Sequence, residues 1–242
     1  MTTKPAHEIP ARDRVIVACD VPDLKELTAL LQRLERQPSF YKVGLELFIA
    51  EGERAIDLVR SYDGRIFLDL KLHDIPETVA RAVQSARRIK AELLTVHTSG
   101  GYEMMSRAAE AAAGEVKILG VTVLTSLAQD DLHAEGIEQT IPEMVRARAR
   151  IAHRAGIAGL VCSPHEIDAA RSAAPDMLIV VPGIRPTSST GAFADDQKRI
   201  ATPGLAIANG ADHLVVGRPI RDAANPAATF NEIVDEIRKT VS

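Results

Sequence analysis

Apolar residues in this chain gather into short runs rich in β-branched side chains. The runs recur from one end to the other: RVIVACD over 14–20, FYKVG over 40–44, RIFLDL over 65–70, ELLTVH over 92–97, KILGVTVL over 117–124, GLVCS over 159–163, MLIVVPG over 177–183 and DHLVVG over 212–217. Continuous apolar runs of about 4–8 residues predict strands covered on both faces, as in a parallel sheet. Between them the apolar positions take up helical spacing. In DLKELTALLQRLERQ, Asp23 followed by Glu26 resembles the start of a capping box, and Leu24, Leu27, Leu31 and Leu34 fall on one face. Weaker versions of this pattern start at Glu53, Glu77, Glu103, Glu143, Pro164 and Pro203. About eight strands alternating with about eight helices predict an α/β fold, a (β/α)8 TIM barrel, with residues 1–242 as a single domain undivided by any linker. An open doubly wound sheet is the alternative, but the first strand is followed by CDVPD rather than a glycine-rich dinucleotide turn.

In such a barrel the chemistry belongs where strands end at their C-terminal side. Asp20, Lys42, Asp69, Lys71, His97, Ser99, Thr125, Ser163, Arg185 and Arg218 all fall at or just beyond those ends, so they converge on one mouth. The stretch FLDLKLHDIP is the densest of these places. Side chains alternate along a strand, so Leu68, Leu70 and Leu72 face the helices while Asp69 and Lys71 face the barrel axis. Asp74, followed by Ile75 and Pro76, falls on the loop beyond. Two carboxylates beside one ammonium favour its protonated form, which suits Lys71 to donating a proton rather than to acting as a nucleophile. A buried ion network that only fixes strand register would carry the same pattern. Asp20 and Lys42, each interrupting an apolar run, extend the alternation of charge across the first three strands.

Near the end of the chain, Gly217, Arg218 and Pro219 place a bare glycine and a guanidinium at a helix start, after the strand whose loop usually grips phosphate in this barrel. The long segment VPGIRPTSSTGAFADDQKRIATP has the composition of a lid, with Arg185 before it and Gln197 within it able to reach over a ligand. His97 has no partner at metal-ligand spacing, and a structural role is expected for it.

Composition narrows the classes of function. The 242 residues carry a net charge of −4 and only 3% aromatic side chains, which excludes the basic footprint and stacking platform of a nucleic-acid binder. The opening MTTKPAHEIPARDR lacks the apolar run of a signal peptide, and no stretch is long enough to span a membrane, so a cytoplasmic protein is expected. The two cysteines, Cys19 and Cys162, lie far apart and read as buried reduced thiols.

Taken together, DLKLHDIPET, VTVLTS, VPGIRP, DQKR and VVGRPI, in that order, resemble the orotidine 5′-phosphate decarboxylase family, from about Val15 to the last helix. The resemblance implies decarboxylation of orotidine 5′-monophosphate to UMP in pyrimidine biosynthesis. Lys71 would protonate the ring carbon that loses carbon dioxide, and Asp69 would face the substrate carboxylate. Asp74, Ile75 and Thr78 would enter the site of the neighbouring subunit, implying a homodimer. Asp20 and Lys42 would bind the ribose hydroxyls and Thr125 the pyrimidine. Gln197 would bridge base and phosphate, while Arg185, Gly217 and Arg218 would hold the phosphate. Asp195 stands where many family members carry glycine. A prepositioned ammonium can stabilise the developing carbanion and supply its proton, so no metal or organic cofactor is required. Rival readings are a magnesium-dependent sugar-phosphate decarboxylase or aldolase of the same superfamily, a Schiff-base aldolase using Lys71, and a non-catalytic phosphoribosyl-binding protein. The first would want an acid where Lys42 stands, and the second a neutral Lys71.

Overall fold

The computed structural model describes residues 9–186 and 200–241. Its strands are β1 (Val15–Ala18), β2 (Phe40–Gly44), β3 (Arg65–Leu72), β4 (Leu93–His97), β5 (Lys117–Val121), β6 (Gly159–Val161), β7 (Leu178–Val181) and β8 (His213–Val216). All pair in parallel in sequence order, and β8 returns to β1 through Val15↔Leu214, Ile16↔Val215 and Val17↔Val216, closing a barrel. Parallel strands need a crossover, and helices supply it. Around the outside run α1 (Leu24–Arg33), α2 (Leu45–Glu51), α3 (Glu53–Ser61), α4 (Pro76–Arg88), α5 (Gly101–Ala112) and α6 (Gln129–Ala134). The ring continues with α7 (Ile141–Arg154), α8 (Ile167–Ala173), α9 (Pro203–Ala208), α10 (Arg218–Arg221) and α11 (Pro226–Val241).

Two apolar layers follow from the period of the strands. Outward residues such as Val15, Val17, Tyr41, Val43, Ile66 and Leu68 pack against the helices. Inward residues Ile16, Ala18, Phe40, Phe67, Leu93, Leu119, Val180 and Val215 fill the barrel axis as a separate cluster. A plug of that kind makes the barrel a packed core rather than a pore. Helix α1 shows how the outer layer is anchored. Asp23 accepts the Glu26 N–H at 2.9 Å as N-cap, and Leu27, Leu30, Leu31 and Leu34 are buried beneath it.

Several boundaries differ from those expected. Strand β5 stops at Val121 instead of reaching Leu124; its partner β6 ends at Val161, whose carbonyl accepts both the N–H and the hydroxyl of Thr122, each at 3.0 Å. Strand β3 runs on to Leu72, with a register shift against β4 between Leu68 and Leu72. Helix α2 follows β2 directly, with Gly44 as its N-cap, and Gly52 at φ 59° separates it from α3. That left-handed backbone is open to glycine at little cost. Among the described residues, no helix is long and apolar enough to cross a membrane.

Candidate active site

The inward positions that build the plug continue upward into the charged residues. Two residues beyond Ala18 comes Asp20, beyond Phe40 comes Lys42, beyond Phe67 comes Asp69, and beyond Leu93 comes Thr95. The period of two therefore sets an ionic tier on top of an apolar one. Within it, Lys42 Nζ lies 2.7 Å from Asp20 Oδ1 and 3.5 Å from Asp69 Oδ2. Lys71 Nζ lies 2.8 Å from Asp69 Oδ1 and 2.9 Å from Oδ2. Acid and base alternate along the chain Asp20–Lys42–Asp69–Lys71. Gly44, beside Asp69 in the β2–β3 register, leaves the room for this: a Cβ there would stand 2.9 Å from Lys42 Nζ and 3.1 Å from Asp20 Oδ1.

Simple strand alternation does not account for Lys71. Its φ is 48°, in the left-handed region, where a side chain bearing a Cβ is strained. Thr95 supports it. The Thr95 hydroxyl accepts the Lys71 backbone N–H at 2.8 Å and donates to Asp69 Oδ1 at 2.9 Å. The β3 register shift and this backbone together return the Lys71 side chain to Asp69, its neighbour two residues back.

Burial and charge compete at each of these groups. Burial opposes the Lys42 ammonium, but the carboxylates of Asp69 and Asp20 outweigh it and hold its pKa above the ordinary lysine value. Burial likewise opposes the Asp69 carboxylate, and Lys42, Lys71 and the Thr95 hydroxyl together hold its pKa below the usual range. Both groups are therefore ionised at neutral pH. His97 is pushed down by burial and by the neighbouring His73, whose ring centre lies 5.4 Å away, so it is neutral there. The Cys19 thiol, buried behind Lys42, is pushed up to about 12 and is inert as a nucleophile.

The tier floors a cavity of about 470 Å³ at the C-terminal end of the strands, lined among others by Asp20, Lys42, Asp69, Lys71, Thr125, Arg185, Gly217 and Arg218. Those eight expected residues come together on one surface. Asp74, Ile75 and Thr78 do not join them: all three are exposed, Asp74 accepts the Ile75 N–H at 2.6 Å, and among the described residues no ion pair joins Asp74 to Lys71. Within one chain, then, a single carboxylate holds Lys71, where the sequence suggested two. Gln197 and Asp195 lie outside the described residues.

Three contributors escaped sequence reasoning. Thr95 reads as an ordinary strand residue. Gly44 reads as a strand terminator. Arg221 lines the cavity and donates to the Asp20 carbonyl at 2.7 Å, and its one available signal was its position three residues beyond Arg218. A larger cavity, about 790 Å³, opens at the opposite end near Asp13, Arg65, Lys117 and His213. It lies where the strands begin, the end of this barrel concerned with stability rather than chemistry. Among the described residues, no three of His, Cys, Asp and Glu are grouped to hold a metal ion.

Comparison with known proteins bears on what such a cavity is for. The family model described as "Orotidine 5′-phosphate decarboxylase / HUMPS family" matches residues 13–233. A curated relative named orotidine 5′-phosphate decarboxylase from Trichlorobacter lovleyi is 46% identical over 234 residues, covering 94% of this chain and 96% of its own. One of the same name from Rhodopseudomonas palustris is 49% identical over 236 residues, covering 95% and 96%. The crystal structure of orotidine 5′-phosphate decarboxylase from Lactobacillus acidophilus superposes with a TM-score of 0.81 at 34% identity, over 93% of this chain and 99% of that one. A match of this extent, over a barrel whose charged tier sits at the catalytic end, settles the kinship: the chain belongs to the orotidine 5′-phosphate decarboxylase / HUMPS family.

Proposed function

We propose that this chain, as one catalytic domain, decarboxylates orotidine 5′-monophosphate to UMP by electrostatic and proton-transfer chemistry centred on Lys71, without a metal or organic cofactor. The supporting observation is the alternating chain Asp20–Lys42–Asp69–Lys71 on the floor of a cavity whose rim carries Arg185 and Arg218. The phosphate binds toward Arg185, Gly217 and Arg218, the ribose hydroxyls meet Asp20 and Lys42, and Thr125 meets the pyrimidine. This sets the substrate carboxylate against Asp69. As carbon dioxide leaves, its bonding electron pair stays on the ring carbon. The Lys71 ammonium stabilises that charge and then transfers a proton to the same carbon. Ion pairing with Asp69 holds the Lys71 ammonium beside that carboxylate, and phosphate contacts remote from the reacting bond orient the ring.

The magnesium-dependent relatives are disfavoured by Lys42, an ammonium standing 3.5 Å from Asp69 in the place where they would carry a metal-binding acid. A homodimer fits the exposure of Asp74, Ile75 and Thr78. Ile75 is 68% exposed, and these residues are available to complete the neighbouring subunit's cavity. A biosynthetic enzyme of this kind works in the cytoplasm.

The test follows loss of orotidylate absorbance with chelator present. Wild type should turn over rapidly, and Lys71→Ala should fall by at least about 10³-fold, since both charge stabilisation and proton donation are lost. An active alanine variant, or a requirement for added metal, would refute the mechanism.

A further inference from the structure

The apolar tier of the barrel ends at Leu93 on β4, and the next inward residue, Thr95, is 1% exposed and does not line the cavity. A threonine buried inside a barrel can be a simple packing residue, satisfied by a strand carbonyl. Thr122 at the end of β5 is of that kind, its hydroxyl on the Val161 carbonyl. Thr95 is not. Its hydroxyl spends its single proton on Asp69 Oδ1 at 2.9 Å and accepts the Lys71 N–H at 2.8 Å. One oxygen thus touches both members of the Asp69–Lys71 pair, the carboxylate by its side chain and the lysine by its backbone. Both contacts fall where the chain departs from regular strand geometry, at the β3–β4 register shift and at the left-handed Lys71. Backbone strain of this kind persists only where the surroundings over-determine it. The Lys71 N–H, removed from the strand ladder by the shift, has the Thr95 hydroxyl as its partner, and a valine at 95 would leave that donor unmatched.

We propose that Thr95 is a positioning residue of the decarboxylation site, its hydroxyl fixing the Asp69 carboxylate and the Lys71 backbone in the relative placement that proton delivery requires. The inference rests on the reading of Lys71 as proton donor. Asp69 then has no free rotation: Oδ1 is held by Thr95 and Lys71, Oδ2 by Lys71 and Lys42. Loss of the hydroxyl releases the carboxylate to turn and lets the lysine backbone relax, moving the ammonium relative to a bound ring. The phosphate and ribose contacts, on β1, β2, β7 and β8, are untouched, so binding should survive where turnover does not.

Three substitutions separate this role from packing. Thr95→Val keeps the shape and removes the hydroxyl, Thr95→Ala removes hydroxyl and methyl, and Thr95→Ser keeps only the hydroxyl. For decarboxylation of orotidine 5′-monophosphate, Val and Ala should lower kcat about 10–100-fold with KM within about threefold, while Ser stays near wild type. In the ligand-free proteins, carbon-13 NMR of the Asp69 carboxyl should show its titration midpoint raised in Val and Ala but not in Ser, because a hydrogen bond to the charged form is lost. Wild-type kcat in Ala, a Ser variant as slow as Ala, or an unmoved Asp69 midpoint would each overturn the inference. If Thr95→Val fails to fold, the Ser–Ala pair still decides, since both lack the methyl and differ only in the hydroxyl. A wild-type protein without decarboxylase activity would sink the proposed function instead, and the Asp69 titration would still judge whether Thr95 holds it.

Discussion

Lys42 is the residue on which the ionic tier turns, because among the described residues it alone forms ion pairs with both Asp20 and Asp69. Its side chain is 10% exposed and that of Asp69 is 13% exposed, so their pairing is screened little by water. Replacing Lys42 with methionine keeps most of the volume but leaves a buried carboxylate with one cation instead of two. A broken buried pair costs about 3 kcal/mol, and the urea midpoint at pH 7 should fall accordingly. A higher midpoint would mean that the four charges are held together against their own desolvation by the rest of the fold. At the other end of the barrel, His213 is buried, donates its Nδ1–H to the Asp13 carbonyl over 3.0 Å, and packs edge-on against Phe40. Burial pushes its pKa down from 6.5 to about 4. The native state therefore binds fewer protons than the unfolded chain between those values, and stability present above pH 6.5 is lost as the pH falls toward 4. The loss amounts to about 3 kcal/mol. Stability measured across that window should fall less steeply in His213→Gln, and equal slopes would show that the imidazole is not kept neutral by folding.

At the scale of the element, fit between neighbouring strands decides. Gly159 opens β6 where a Cβ would stand 2.7 Å from the Leu178 carbonyl oxygen and 2.8 Å from Leu178 Cβ. Backbone cannot step aside as a flexible side chain can, so Gly159→Ala should cost about 1–3 kcal/mol, seen as a lower melting temperature. Thr140, which caps α7 in a reciprocal capping box with Glu143, predicts a loss of about 1 kcal/mol on change to alanine. Elements also mark what could be read from sequence. The strands were legible because each is a run of inward plug and outward core residues, as in Val15–Ala18 and Leu178–Val181, and such runs have no other reading in an alternating chain. Helices α2 and α6 were not, since no proline marks their starts, whereas Pro164 and Pro203 announce the equally short α8 and α9. Asp69 and Lys71 were legible as charges in an apolar stretch. The left-handed Lys71 and its tie to Thr95 were not, because nothing in a lysine or a threonine announces a backbone shift that only the pairing of β3 with β4 creates.

For the whole molecule, the number of chains that build one site decides the part Asp74 plays. Asp74 faces solvent within its own chain, while Lys71 faces its own cavity. If Asp74 serves the neighbour, two inactive variants should rescue each other. In a mixed dimer of Lys71→Ala and Asp74→Ala chains, one site carries both defects and the other carries neither. Mixing the two under conditions of subunit exchange should restore turnover, whereas persistent inactivity would place Asp74 in its own chain's site. Closure of the barrel has a consequence of a different kind. Val15 finds its partner in Leu214, with almost the entire polypeptide between them. During synthesis the first strand must wait with one ladder of amide groups unmatched until the eighth leaves the ribosome, so the nascent chain passes through a long interval as an open, sticky sheet.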